Sequence, residues 1–240
     1  QIMTPAALMD LFSWMDLIAV FLLVAAWFAL GLWIESPCAR KPSVTVLMAE
    51  YRREWMRQFV TRAPRIYDAT VLGSLRQSTS FLASASMIAL GGLLALIGNA
   101  ERLVGVAQDL TMPTPSTRIV EIKLLLVSLW LTHAFLKFLW SNRLFGYAAV
   151  VMSAVPNDQS DPLCYPRAAQ SAQINIRAAF NFNRGLRATY FALAALAWLI
   201  GWWALLIAPG LVSYMIWWRE FASASRNILL DPPPAPASAE

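Results

Sequence analysis

The chain has 240 residues, 58% of them apolar and only 14% charged, with a formal net charge of +5. A soluble domain averages about 25% charged residues; here the apolar residues gather in long uninterrupted runs, which argues against a water-soluble globular protein and implies a lipid environment. The basic residues are interleaved with Trp, Met and Tyr beside those runs, so they read as topology and headgroup signals, and no nucleic-acid partner is expected.

The first apolar run covers residues 11–34. Asp10 and Asp16 stand where a signal peptide would carry Lys or Arg, and the run is too long for an h-region, so it reads as a retained spanning helix. A basic stretch follows to about Gln77. In it Pro42-Ser43 marks a helix start, and Val44, Leu47, Met48, Tyr51, Trp55 and Phe59 recur at helical spacing with Arg52, Arg53, Arg57 and Arg62 flanking them. This pattern predicts an amphipathic helix over about 44–62 that lies on the membrane surface and ends at Pro64. The second span, 80–97, belongs to a helix that begins near Arg65 and stops at Gly98-Asn99. A linker holding Pro113 and Pro115 comes next.

The third span is 119–140, and its helical pattern continues to Val155 before Pro156-Asn157-Asp158 breaks it. A further helix starts after Pro166 and runs through Ile174, Ala178, Phe182 and Leu186 into the fourth span, 188–207. Ala208-Pro209-Gly210 interrupts the apolar run, which resumes to Trp218. If Trp202-Trp203 and Trp217-Trp218 mark one interface, the stretch between them is a re-entrant hairpin; if they mark opposite interfaces, it is a short fifth span. Residues 231–240 form a low-complexity Pro/Ala tail. The expected fold is all-α, one domain over residues 1–230: a polytopic membrane helix bundle with about four spans and an amphipathic surface helix. At about 1.5 Å per residue the later helices exceed what a bilayer needs, so their surplus ends should form a helical collar on the cytoplasmic side.

Orientation follows the basic residues. Arg40, Lys41, Arg52, Arg53, Arg57, Arg62, Arg65 and Arg76 follow span one, and Arg143, Arg167, Arg177, Arg184 and Arg187 follow span three. The opposite side holds Arg102 and Arg118, with Lys123 at its edge. The large loops are therefore expected in the cytoplasm of a bacterium, with the N-terminus outside its inner membrane.

Asp68, Arg76, Asn142, Arg143, Asn183, Arg184 and Arg187 should meet where the long helices leave the bilayer. Their excess of Arg suits an anionic solute or headgroup. Asp68 is expected to pair with Arg143 or Arg184, and the remaining Arg to hold a phospholipid; no other cofactor is expected. Within the spans, Asp16 and Lys123 are close enough in depth to touch. His133 and Lys137 share one helix face. A lone His is most simply bonded to a neighbouring helix, beside three functional readings: haem ligand, proton relay and pH switch. Ser84, Gly91, Ala95 and Gly98 on span two, and Ala197, Gly201 and Ala204 on span four, suit close helix packing. The hydroxyls of Ser78, Thr79, Ser80, Ser84 and Ser86 offer a polar pore as the sharper alternative, or bonds back to their own helix.

Cys38 and Cys164 sit in separate loops without a CxxC or CxxH context, which argues against a disulfide framework or a zinc site. No nucleotide loop, nucleophile elbow, HExxH or paired carboxylates occur. The leading expectation is a non-enzymatic assembly or accessory subunit, partnered by membrane lipid and either homo-oligomeric or within a larger membrane complex. A channel or transporter for a small solute or ion is the alternative, and a membrane enzyme or cofactor carrier using His133 the third.

Four blocks fall in order along the chain: Tyr51-Arg52-Arg53-Glu54-Trp55-Met56-Arg57 with Arg65-Ile66-Tyr67-Asp68; Ser84-Ala85-Ser86-Met87-Ile88-Ala89-Leu90-Gly91-Gly92-Leu93-Leu94; Phe138-Leu139-Trp140-Ser141-Asn142-Arg143-Leu144-Phe145; and Phe182-Asn183-Arg184-Gly185-Leu186-Arg187-Ala188-Thr189-Tyr190-Phe191-Ala192-Leu193. Together, from about Asp16 to Phe221, they resemble the bacterial and plant membrane family catalogued as domain of unknown function 599. The resemblance implies a multi-span membrane protein without an established activity. It also implies that Asp68, Asn142, Arg143, Asn183 and Arg184 belong to the family pattern.

Overall fold

The computed structural model describes residues 11–36, 41–109 and 116–231, and every described element is helical. Helix α1 is Trp14–Glu35. It starts where it does because Ser13 and Asp16 form a capping box: Ser13 Oγ accepts the Asp16 amide at 3.2 Å, and Asp16 Oδ2 accepts the Ser13 amide at 3.1 Å. Helix α2 is Val44–Thr61. Its cap, Ser43, accepts the Val46 amide at 3.2 Å and donates to the Ile34 carbonyl at 2.7 Å, so one side chain fastens the start of α2 to the end of α1.

The expected surface helix is present, but its buried face is turned to protein. Thr45, Ala49, Met56, Phe59 and Val60 are buried, and α2 packs chiefly on α6, defined below. Met48 and Tyr51, from the stripe read as lipid-facing, are exposed. An apolar stripe records burial and does not say whether lipid or protein covers it. Here the covered face lies roughly one residue, about 100°, around from that stripe.

Helix α3 is Ile66–Gly98. A short helix, α4 (Ala100–Asp109), follows where the sequence reading placed only a linker. Helix α5 is Thr117–Ser153 and α6 is Cys164–Leu196. At about 1.5 Å per residue, α5 is roughly 55 Å long against a hydrocarbon core of about 30 Å. The surplus builds a second core beyond the spanning layer. Met56, Phe59 and Val60 of α2, Leu72 of α3, Leu144, Phe145 and Met152 of α5, and Cys164, Ala168 and Ala172 of α6 pack together there. This is the collar inferred from the helix lengths. Cys164 is buried with its thiol 2.9 Å from the Asp158 carbonyl; Cys38 and residues 232–240 of the tail lie outside the described residues.

The most extensive helix packing is α5 on α6, and small residues line it. Ala168, Ala172, Ala178, Gly185, Ala188, Ala192 and Ala195 of α6 are buried. Ser141 donates to the Ala178 carbonyl at 2.7 Å, and Ser171 to the Ala148 carbonyl at 2.9 Å. Hydroxyls that reach the opposite backbone require near-touching helices. The packing seam thus lies on the N-terminal side of the one inferred from Ala197, Gly201 and Ala204.

The run 188–207 is not a continuous helix. It breaks at a 3-10 turn, Ala197–Leu199, and Gly201 is the extended cap of helix α7, Trp202–Phe221. Helix α7 runs back alongside α1. At one end Trp198 Nε1 donates to Asp16 Oδ1 at 2.7 Å, and at the other Trp33 stacks on Phe221 at 5.2 Å. Pro209 and Gly210 lie inside α7 and do not turn the chain. Ala204 is buried, whereas Ala197 is only partly so. Helix α8, Ala224–Leu230, closes the described chain. By length and composition three of the described helices, α1, α3 and α5, are able to cross a membrane.

Candidate functional site

The Arg-rich end of the bundle is where ionisable groups and cavities coincide. Its centre is Glu35, the last residue of α1. Arg184 Nε lies 3.0 Å from both carboxylate oxygens and its Nη2 2.5 Å from Oε2. Arg187, one helical turn further along α6, donates to Oε1. Arg187 is 5% exposed, whereas the Arg184 side chain is 44% exposed. These three residues line a notch of about 330 Å³ with Trp27, Phe28 and Leu32 of α1 and with His133 and Lys137 of α5. The His133 ring meets Trp27 edge-on at 5.3 Å. The notch is apolar on its α1 wall and holds three cations against one carboxylate. It can attract and orient an anionic group beside an apolar chain. Its single His has no second His in the chain to complete a bis-His axial site.

On the other side of α6 a second cavity, about 380 Å³, lies beneath α2. Glu220 of α7 closes one wall by capping α2: its Oε2 accepts the Thr45 amide at 3.0 Å and the Thr45 hydroxyl at 2.9 Å. Asn183 donates to the same hydroxyl at 3.2 Å. Arg52 lines this cavity and donates to the buried Asn175. Burial pushes the Arg52 guanidinium down to about 10.

The residues expected to form one cluster are therefore distributed among several sites. Arg184 and Arg187 act together, with Glu35 as their shared partner. Asn183 faces the α2 cavity. Asp68, fully buried, accepts Trp55 Nε1 at 2.7 Å and Arg62 Nη1 at 2.5 Å, and so pins α2 to α3 without reaching Arg143 or Arg184. Arg76, Asn142 and Arg143 line a separate groove, where Arg143 Nε lies 2.6 Å from the Tyr147 hydroxyl. At the opposite end, Asp16 and Lys123 converge through Trp198: the indole donates to Asp16, and Lys123 Nζ donates to the Trp198 carbonyl at 2.7 Å.

The five hydroxyls of α3 do not lie on one common face. Ser78, Ser80 and Ser84 are exposed, while Thr79 and Ser86 bond back to the Leu75 and Leu82 carbonyls at 2.7 and 2.8 Å. The stripe of Ser84, Gly91, Ala95 and Gly98 points away from α5 and is exposed. A Cβ added at Gly91 or Gly98 would meet nothing within 4 Å. Sequence reasoning missed Glu35, Arg52 as a buried group, and Asn175. A usable signal existed for Glu35: it is an acid at the end of a span, at the depth of the expected Arg cluster.

Helix lengths, apolar surfaces and end-layer charges define a helical membrane protein. The model of the family described as "Protein of unknown function, DUF599" matches residues 18–225, and the chain belongs to that family. Neither the curated proteins nor the solved structures give a match.

Proposed function

We propose that the protein is a non-enzymatic membrane subunit that assembles with itself, or within a larger membrane complex, through the outer face of α3. The observation that carries this reading is the placement of the small residues. Gly91 and Ala95 are four apart, and Ser84 and Gly98 continue their stripe. All are exposed on the side of α3 turned from its partner α5. Glycine in a helix interior costs about 0.5–1 kcal/mol relative to Ala. Among the described residues nothing approaches these glycines, and another helix coming close there would offset the cost.

In this reading the protein resides in a bacterial inner membrane, with its N-terminus outside and its Arg-rich end in the cytoplasm. The notch at Glu35 then lies at headgroup depth. Lys137 and the open side of Arg184 would hold an anionic phospholipid whose chain follows Phe28 and Leu32. The test is the mass of the assembly extracted in mild detergent, before and after Gly91→Leu. A multi-copy or multi-protein particle that falls to a single copy in the variant supports the proposal. A single copy in the wild type, with nothing co-purifying, overturns it.

A further inference from the structure

The cavity beneath α2 carries a positive charge that no acid among the described residues pairs. Arg52 is mostly buried, its Nη1 engaged by Asn175 Oδ1. Among the described residues its buried Nε has no partner, nor has Nδ2 of the fully buried Asn175. The guanidinium is the anion-binding group that this cavity offers. The cavity's acid, Glu220, is engaged by Thr45 at the α2 terminus. Among the described residues, no ion pair is formed by Arg52, whereas Arg53, Arg57, Arg62, Arg184 and Arg187 each have an acid. A buried charge of this kind is costly unless a counter-charge meets it.

The remaining walls are largely apolar, among them Met48, Leu75, Phe145 and Phe180, and the volume of about 380 Å³ suits a small organic molecule. We propose that this cavity binds a monocarboxylate with an apolar body, its carboxylate paired with the Arg52 guanidinium and its body against Leu75, Phe145 and Phe180. One negative charge matches the one mostly buried guanidinium of the cavity; its other Arg, Arg219, is exposed and donates to the Tyr190 hydroxyl at 3.2 Å. A phosphate dianion would bring a second charge into a cavity that already holds Glu220. This site is independent of the α3 assembly face. Its ligand would come either from water, as a short acid, or from the bilayer, as a fatty acid.

The experiment uses the full chain in nanodiscs of zwitterionic lipid. Hexanoate and phenylacetate are titrated from solution, and laurate is supplied in vesicles. Hexanol and phenyl phosphate serve as neutral and dianionic comparisons. At least one carboxylate should bind, more tightly than hexanol or phenyl phosphate, and which arm responds identifies the source. Arg52→Lys keeps the charge and loses the planar guanidinium that bonds Asn175 and the ligand together, so it should weaken binding by about tenfold or more. Ala179→Leu leaves Arg52 in place and fills the cavity wall, so it should weaken binding likewise; it decides the matter if the Arg52 variant does not fold. The proposal is overturned if no carboxylate binds the wild type. It is also overturned if every folded variant binds as the wild type does, or if either comparison compound binds as tightly.

Discussion

Glu35→Gln is the substitution that tests the centre of the Arg-rich end. The carboxylate is shared by two guanidinium groups of unequal burial. Arg187 is 5% exposed, and its withdrawal from water is offset by Glu35. Removing one member of a buried pair costs about 3–5 kcal/mol, because the other charge stays buried. Arg184 is more than a third exposed, so water screens it and its share is at most about 1 kcal/mol. Glu35→Gln should therefore lose about 3–4 kcal/mol, since the amide oxygen still accepts one bond. Arg184→Gln should lose about 0–1 kcal/mol. The assay is reversible unfolding in mixed detergent and SDS micelles, combined with double-mutant cycles. The Glu35–Arg187 coupling should exceed the Glu35–Arg184 coupling by about 2 kcal/mol. Equal couplings, or a loss below about 1 kcal/mol for Glu35→Gln, would refute the assignment of Arg187 as the buried partner.

Gly185→Ala should destabilise by about 1–3 kcal/mol through overpacking, since the new Cβ falls 2.7 Å from Phe138, a ring that is itself 1% exposed. Gly73→Ala, with nothing within 4 Å, should instead stabilise α3, and the same unfolding assay separates the two. In native mass spectrometry, Lys137→Gln combined with Arg184→Gln should reduce retention of anionic phospholipid relative to zwitterionic lipid; equal retention would leave the notch without its proposed ligand.

The helix pattern was largely legible because apolar runs and stop signals are local. Ser43, Pro64, Gly98 and Pro156 each stand within a few residues of a helix boundary. The missed helix, α4, follows Gly98-Asn99 directly and is short. The 188–207 error has a different cause. Hydropathy does not register the break at Ala197–Leu199, since the residues on both sides of it are apolar, and only the bond from Trp198 to Asp16 reveals that α6 has ended. The residues of the site were legible in type and depth but not in partnership. Arg184 and Arg187 were singled out, yet Glu35, one residue beyond the first apolar run, was not. Asp68 was expected to reach across the bundle, although Arg62 stood six residues away.

Depth and partnership separate because α6 turns about 100° per residue. Asn183 and Arg184 are adjacent in sequence and equal in depth, yet Asn183 bonds to α2 through Thr45 and Arg184 to α1 through Glu35. A polar layer arranged in this way fixes the rotation of α6 between two neighbours, which a cluster on a single face would not do. Asn175 extends the same logic toward Arg52, and Glu220 ties α7 to α2. Most of the charge at this end is thus spent on holding helices in register. Arg52 and Lys137 are two of the exceptions. Both line cavities and are only partly exposed, and neither forms an ion pair among the described residues. Positive charge without an acid among the described residues thus lies at places with room for a ligand, so binding at this end is expected to select anions.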